Sequence, residues 1–120
     1  MLDYNAQKGR TKHSMPLWTD ALVADTLELS VDEFGAYLLL LTAMWRRESL
    51  SLPDDPRKLR TISRVSQKLW NSRISPTLMP FYVKSDGQIT HKKLREVANY
   101  VEAYLLTQSK RNVGKKPSKP

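Results

Sequence analysis

Between Asp55 and Asp86 the chain carries no acidic residue, while Arg57, Lys58, Arg60, Arg64, Lys68, Arg73 and Lys84 are basic. Interleaved with them are Gln67, Asn71 and Ser72. Guanidinium and ammonium groups neutralise phosphate, and that task needs charge more than exact geometry. Gln, Asn and Arg can form paired hydrogen bonds with base edges, whereas Lys and Ser also meet phosphate. The chemistry on offer is recognition of a polyanion. Other chemistries find no support in the residue types. His13 and His91 stand far apart with no cysteine and no i+4 partner, so no zinc site is expected. The four glycines, at 9, 35, 87 and 114, are scattered and build no phosphate loop. Asp54-Asp55 reads as helix capping, and no nucleophile–base constellation is present, so neither an enzyme nor a cofactor is expected.

The elements that must position these residues follow from periodicity and capping signals. Residues 1–15 are polar and aperiodic, which predicts a flexible N-terminal arm. Trp18, Leu22, Val23 and Leu27 predict a short first helix from about Leu17 to Leu27. Ser30-Val-Asp-Glu33 is a capping-box sequence that opens the strongest helical pattern, Val31 to Arg47. Phe34, Tyr37, Leu38, Leu41, Met44 and Trp45 make its apolar face too broad for a surface helix. Arg46 and Arg47 suit its negative end. Asp55-Pro56 reads as an N-cap followed by proline at the first helical position, giving a helix over Pro56–Ile62. Ser66 can cap the next helix, Gln67–Ser75, which Pro76 is expected to kink or end. In that helix Leu69, Trp70 and Ile74 face inward, leaving Gln67, Lys68, Asn71, Ser72 and Arg73 outside. Phe81–Lys84 and Gln88–His91 flank Ser85-Asp86-Gly87, a strong hairpin signal. Lys92 to Gln108 closes the fold as a helix, with Leu94, Val97, Val101 and Leu105 on one stripe. Ser109 to Pro120 reads as a basic disordered tail or linker.

Two short helices joined by a tight link and followed by a hairpin form the order of a winged helix-turn-helix. The expected fold is mostly α, with about five helices and one wing hairpin, in a single domain over residues 16–108. Arg57, Lys58, Arg60, Arg64 and Lys68 become phosphate-binding candidates, and Lys84, Lys92 and Lys93 extend the same positive track past the wing. Gln67, Asn71 and Arg73 become base-reading candidates.

Charge distribution agrees with this placement. Residues 1–52 hold five Lys/Arg against seven Asp/Glu, whereas residues 53–120 hold fifteen against five, within a net charge of +8. A one-sided positive field is the footprint of a polyanion partner. The longest apolar run, Ala36 to Leu41, falls far short of the ~20 residues of a membrane span, and no signal peptide or cysteine is present. A cytoplasmic protein with no membrane contact is expected.

The segments from Trp18 to Ser30, Glu33-Phe-Gly35-Ala-Tyr37-Leu-Leu-Leu-Leu41 and Trp45-Arg46-Arg47 resemble the YdaU-type prophage-associated family. The resemblance continues through Leu52-Pro53-Asp54, Leu59 to Val65, Trp70 and the stretch from Pro80-Phe81-Tyr82 to His91-Lys92, covering about Pro16 to Glu102. It implies a winged-helix-like DNA-binding module of phage or prophage replication initiation. The implied partners are duplex DNA and, through a further region, a replicative helicase or its loader. Two alternatives stay open at this point. One is a dimeric transcriptional regulator, with the apolar stripe Leu94 to Leu105 as a homodimer interface. The other is a replisome interaction module whose Trp- and Leu-rich helices dock a protein.

Overall fold

The capping box at Ser30 forms as its sequence requires: the Glu33 carboxylate accepts from the Ser30 N–H at 2.9 Å, and the Ser30 hydroxyl accepts from the Glu33 N–H. It opens α3 (Val31–Trp45), the helix around which the computed structural model, describing residues 4–114, is built. Ala36, Tyr37, Leu40, Leu41, Met44 and Trp45 of α3 are buried against Leu59, Trp70, Ile74, Leu78, Ile89, Leu94, Ala98 and Val101. Leu52–Pro53, Pro56–Ser63, residues 67–78, Gln88–Thr90 and Lys92–Gly114 thus each contribute at least one anchor to the same core, while Val83–Ser85 stays exposed.

Before α3 come α1 (Ala6–Thr11) and α2 (Thr19–Asp25). Of the flexible arm expected over residues 1–15, residues 1–3 lie outside the described residues, and the expectation is corrected for the rest: Asn5 caps α1, accepting from the Lys8 N–H, and α1 packs along the C-terminal helix. The cause is Arg10, whose side chain is fully buried. Its guanidinium donates to the Trp45, Arg47 and Glu48 carbonyls and to the Glu102 carboxylate, and lies 5.1 Å from the Trp45 ring centre. A cation in a polar sequence therefore supplies the anchor that an apolar side chain would otherwise give. The first helix is also shorter than its pattern suggests. Thr26 turns its hydroxyl back onto the Leu22 carbonyl at 2.6 Å, the chain leaves the helix, and Leu27 and Val23 face solvent.

After α3, β1 (Leu52–Pro53) leads into α4 (Pro56–Ser63), with the Asp55 side chain accepting from the Arg57 N–H. Residues 64–66 turn into α5 (Gln67–Leu69), capped by Ser66 as expected. The helix does not end at Pro76. It passes through a π turn (Trp70–Ile74), in which the Ser75 N–H donates to the Trp70 carbonyl, into α6 (Ser75–Leu78) and a 3-10 turn (Met79–Phe81). A proline ring collides with the carbonyl four residues back in a regular helix. Widening the preceding turn relieves that collision, as π bulges do.

β2 (Val83–Ser85) and β3 (Gln88–Thr90) form the expected hairpin, with Ser85 opposite Gln88. Asp86 and Gly87, both at positive φ, make the two-residue turn that fits strand twist. β1 adds a strand on the far side of β3, pairing Leu52 with Ile89, so the sheet order is β1-β3-β2. Two residues flanked by turn signals carried too little pattern to read as a strand. α7 (Lys92–Gly114) closes the fold. Its stripe is not free for a second copy: Leu94 and Val101 are buried in the core, and Val97 and Leu105 pack against it. The helix runs through the start of the expected disordered tail, and residues 115–120 lie outside the described residues. The described architecture is mostly helical, six helices when the continuous run over residues 67–78 is counted as one, with a three-stranded antiparallel sheet.

Candidate nucleic-acid interface

α4 and the helix over residues 67–78 meet at a three-residue turn that is built rather than loose. Arg64, the C-cap of α4, adopts the left-handed conformation at φ 62°, a conformation costly for a side chain with a Cβ. Arg60, half-buried, reaches along the helix and donates from Nη1 to the Val65 carbonyl at 3.0 Å. Arg60 therefore positions the turn with one of its five guanidinium donors, and that neutral carbonyl leaves its charge in place. Val65 and Leu69 pack on the core beneath.

Above this turn, Gln67, Lys68, Asn71 and Ser72 are exposed, and so is Arg64. Gln67 and Asn71 are one helical turn apart, which aligns their two amides on the same outer row. Among the described residues, no ion pair engages Arg64 or Lys68.

Arg73 departs from its base-reading assignment. Nη2 lies 2.5 Å from Asp32 Oδ2, and Nη1 donates to Asp32 Oδ1, Glu33 Oε2 and the Ser30 hydroxyl at 2.9–3.0 Å. The guanidinium hydrogen bonds hold the Asp32 carboxyl far below the usual carboxylate range. Glu33 is lowered too, first by its bond from the Ser30 N–H and then by Arg73. A bidentate guanidinium already satisfied by two carboxylates is not available to a base. Asp32 and Glu33 were visible in the sequence as capping residues, but nothing local ties them to a side chain forty residues away.

The positive track divides in the structure. Lys84 is exposed on β2 near the hairpin tip, with Nζ 3.7 Å from Asp54. Lys92 and Lys93 sit beyond the other end of the hairpin, where they border a pocket with Asp25, Tyr37, Phe81, His91 and Glu96, and Lys93 lies 3.6 Å from Glu96. These two lysines share their surroundings with Asp25 and Glu96, away from the hairpin tip. Trp70 is buried, as its spacing from Ile74 suggests. His91 caps α7 from a buried position: Nδ1 accepts from the Leu94 N–H at 3.2 Å, which places the proton on Nε2 facing the Tyr37 hydroxyl at 2.8 Å. Burial lowers its pKa, partly opposed by Asp25, while burial pushes Tyr37 up to about 12.

Arg57 and Lys58 are exposed but turn toward a different feature, an open groove of about 560 Å3 between the end of α3, β1 and α4. Arg47 supplies its opposite wall. Sequence reasoning missed this partner because Arg47 was fully explained by the helix end. Among the described residues, no set of three or more His, Asp or Glu side chains is placed to hold a metal ion. No helix among them is long and apolar enough to cross a membrane.

Over 95 residues, 79% of this chain, the sequence is 30% identical to the Uncharacterized protein YdaU of Escherichia coli (strain K12). The aligned part is 32% of that protein's length, so the chain spans about a third of it. No solved structure matches the chain. Residues 13–99, from the turn after α1 into α7, match the family described as "Protein of unknown function (DUF1376)", and it is to this family that the chain belongs.

Proposed function

We propose that this chain is a winged-helix module that binds duplex DNA, presenting the outer row of residues 67–72 to the major groove and the hairpin tip to the flanking backbone. One observation carries the reading. Gln67, Asn71, Lys68 and Arg64 lie exposed on a helix pair and turn whose inner side chains, Leu59, Val65, Leu69, Trp70 and Ile74, pack in or against the core. Two further features support it. From α3 onward the elements run helix, strand, helix, helix, strand, strand, and β1 pairs with β3, the order of a winged helix. The side chains also divide by role: Gln67 and Asn71 offer donor–acceptor pairs for base edges, and Arg64, Lys68 and Lys84 offer charge for phosphates. Arg60 and Arg73 serve by fixing the turn and the helix, so the row reaches the groove without rearrangement.

The biological setting in this proposal is the one the family resemblance implies, replication initiation in phage or prophage, with helicase recruitment assigned to a region outside this chain. The test is a titration of labelled duplex with the 120-residue chain at several salt concentrations. With three phosphates neutralised, log affinity should fall against log salt with a slope of about −3. No binding at low salt, or binding indifferent to salt, would overturn the reading.

A further inference from the structure

The groove between α3, β1 and α4 joins three cations to an apolar floor. Arg47, Arg57 and Lys58 stand around it, and Pro53 and Ile62 line it above the buried Leu52. Lys58 and Ile62 are one helical turn apart, so charge and floor share one flank of α4.

None of the three cations has a carboxylate partner among the described residues. The two acids that precede Arg57 are engaged elsewhere. Asp55 caps α4 through the Arg57 N–H, and Asp54 lies near Lys84. The walls are also fixed in advance. Buried Arg10 holds the Arg47 carbonyl at 3.0 Å, and β1 is paired to β3. A ligand entering there would order little of the protein.

We propose that this groove is a docking site for an acidic peptide segment carrying one bulky apolar side chain. Charge complementarity sets the sign of the occupant. The apolar floor sets its class: a phosphate backbone gains nothing from Pro53 and Ile62, whereas a peptide can seat a leucine-sized anchor on them with carboxylates against the rim. The inference does not depend on duplex binding, because Arg64 and Lys68 take no part in the groove.

The experiment uses the full chain and fluorescent nine-residue peptides in anisotropy titrations. The probe peptide has a central leucine flanked by glutamates; one comparison peptide has a central alanine and another has lysine flanks. The expected result is saturable binding of the probe, weakened about tenfold or more by the central alanine and abolished by lysine flanks. Arg47→Glu and the pair Arg57→Glu with Lys58→Glu should remove binding, while Arg64→Ala with Lys68→Ala should leave it intact. Should a charge-reversed variant fold poorly by circular dichroism, Lys58→Ala alone still tests the rim. Equal binding of the leucine and alanine peptides, or no saturable binding, would overturn the proposal. So would displacement by duplex together with loss of duplex affinity in Arg47→Glu, which would assign the groove to DNA.

Discussion

Arg73 and Asp32, 41 residues apart, form a two-pronged ion pair that ties the middle of the 67–78 helix to the N-terminus of α3. The same guanidinium reaches Glu33 and Ser30, so the α3 capping box and the proposed recognition helix are one bonded unit. The orientation of the outer row, Gln67 and Asn71, therefore depends on a contact made on the other side of the helix.

Arg73→Ala should lower the urea midpoint, and Asp32→Ala should lower it less than additively in combination, since both remove the same pair. At a temperature where both variants remain folded, Arg73→Ala should weaken duplex binding no more than Asp32→Ala does, because both release the same positioning contact. Equilibrium unfolding and the duplex titration check both halves. A loss in Arg73→Ala well beyond that in Asp32→Ala would return Arg73 to the DNA surface.

Arg64→Gly separates charge from fold at one position. Glycine relieves the left-handed strain and should stabilise the chain by about 0.5–1 kcal/mol, less the greater entropy of an unfolded glycine. The lost charge should reduce the magnitude of the salt slope by about one. A variant more stable yet weaker in binding is the expected pair of results from thermal melts and titrations.

Arg10→Met removes a fully buried cation while leaving the Glu102 carboxylate and three carbonyls without their donor. The expected loss is about 3 kcal/mol, the scale for deleting one member of a buried charged network. Amide exchange should rise first across residues 6–11. If the segment carried no fold energy, exchange and unfolding midpoint would both stay at wild-type values.

His91 makes the fold sensitive to mild acid. Burial depresses its folded pKa below 6.5, so between the two values the unfolded chain binds more protons. The contribution of neutral His91 is complete above about pH 6.5 and is lost as pH falls toward the lower folded value. Protonated Nδ1 can no longer accept from the Leu94 N–H, so the α7 cap fails with it. His91→Asn keeps a capping acceptor without titrating. Its melting temperature should drop less between pH 7.5 and 5.5 than that of the wild type.

What the sequence disclosed and what it withheld divide along locality. The Ser30 box, the Asp55-Pro56 start, the Ser66 cap and the Asp86-Gly87 turn are all settled by neighbours within four residues, and each lies where its pattern puts it. Gln67 and Asn71 were legible as an outer row for the same reason. The assignments that changed concern side chains whose partners are distant. Arg10 meets the end of α3 and α7, Arg73 meets Asp32, and Arg47 faces Arg57 and Lys58 across a groove. A charge count treats these arginines as equivalent. Burial and pairing make one an anchor, one a clamp and one a rim.

The π turn at Trp70–Ile74 has a consequence for how this helix can vary in length. Its outer half sets the angular phase of Gln67 and Asn71, its inner half that of Ile74 and Leu78, and the widened turn is where the two phases are matched. Because a π turn holds one residue more than the α turn it replaces, removing one residue there would let the helix close to regular geometry with both halves still in phase. The cost would fall on Pro76, whose ring would again meet the carbonyl four residues back. Elsewhere in the helix the same deletion would rotate one half against the other by about 100°.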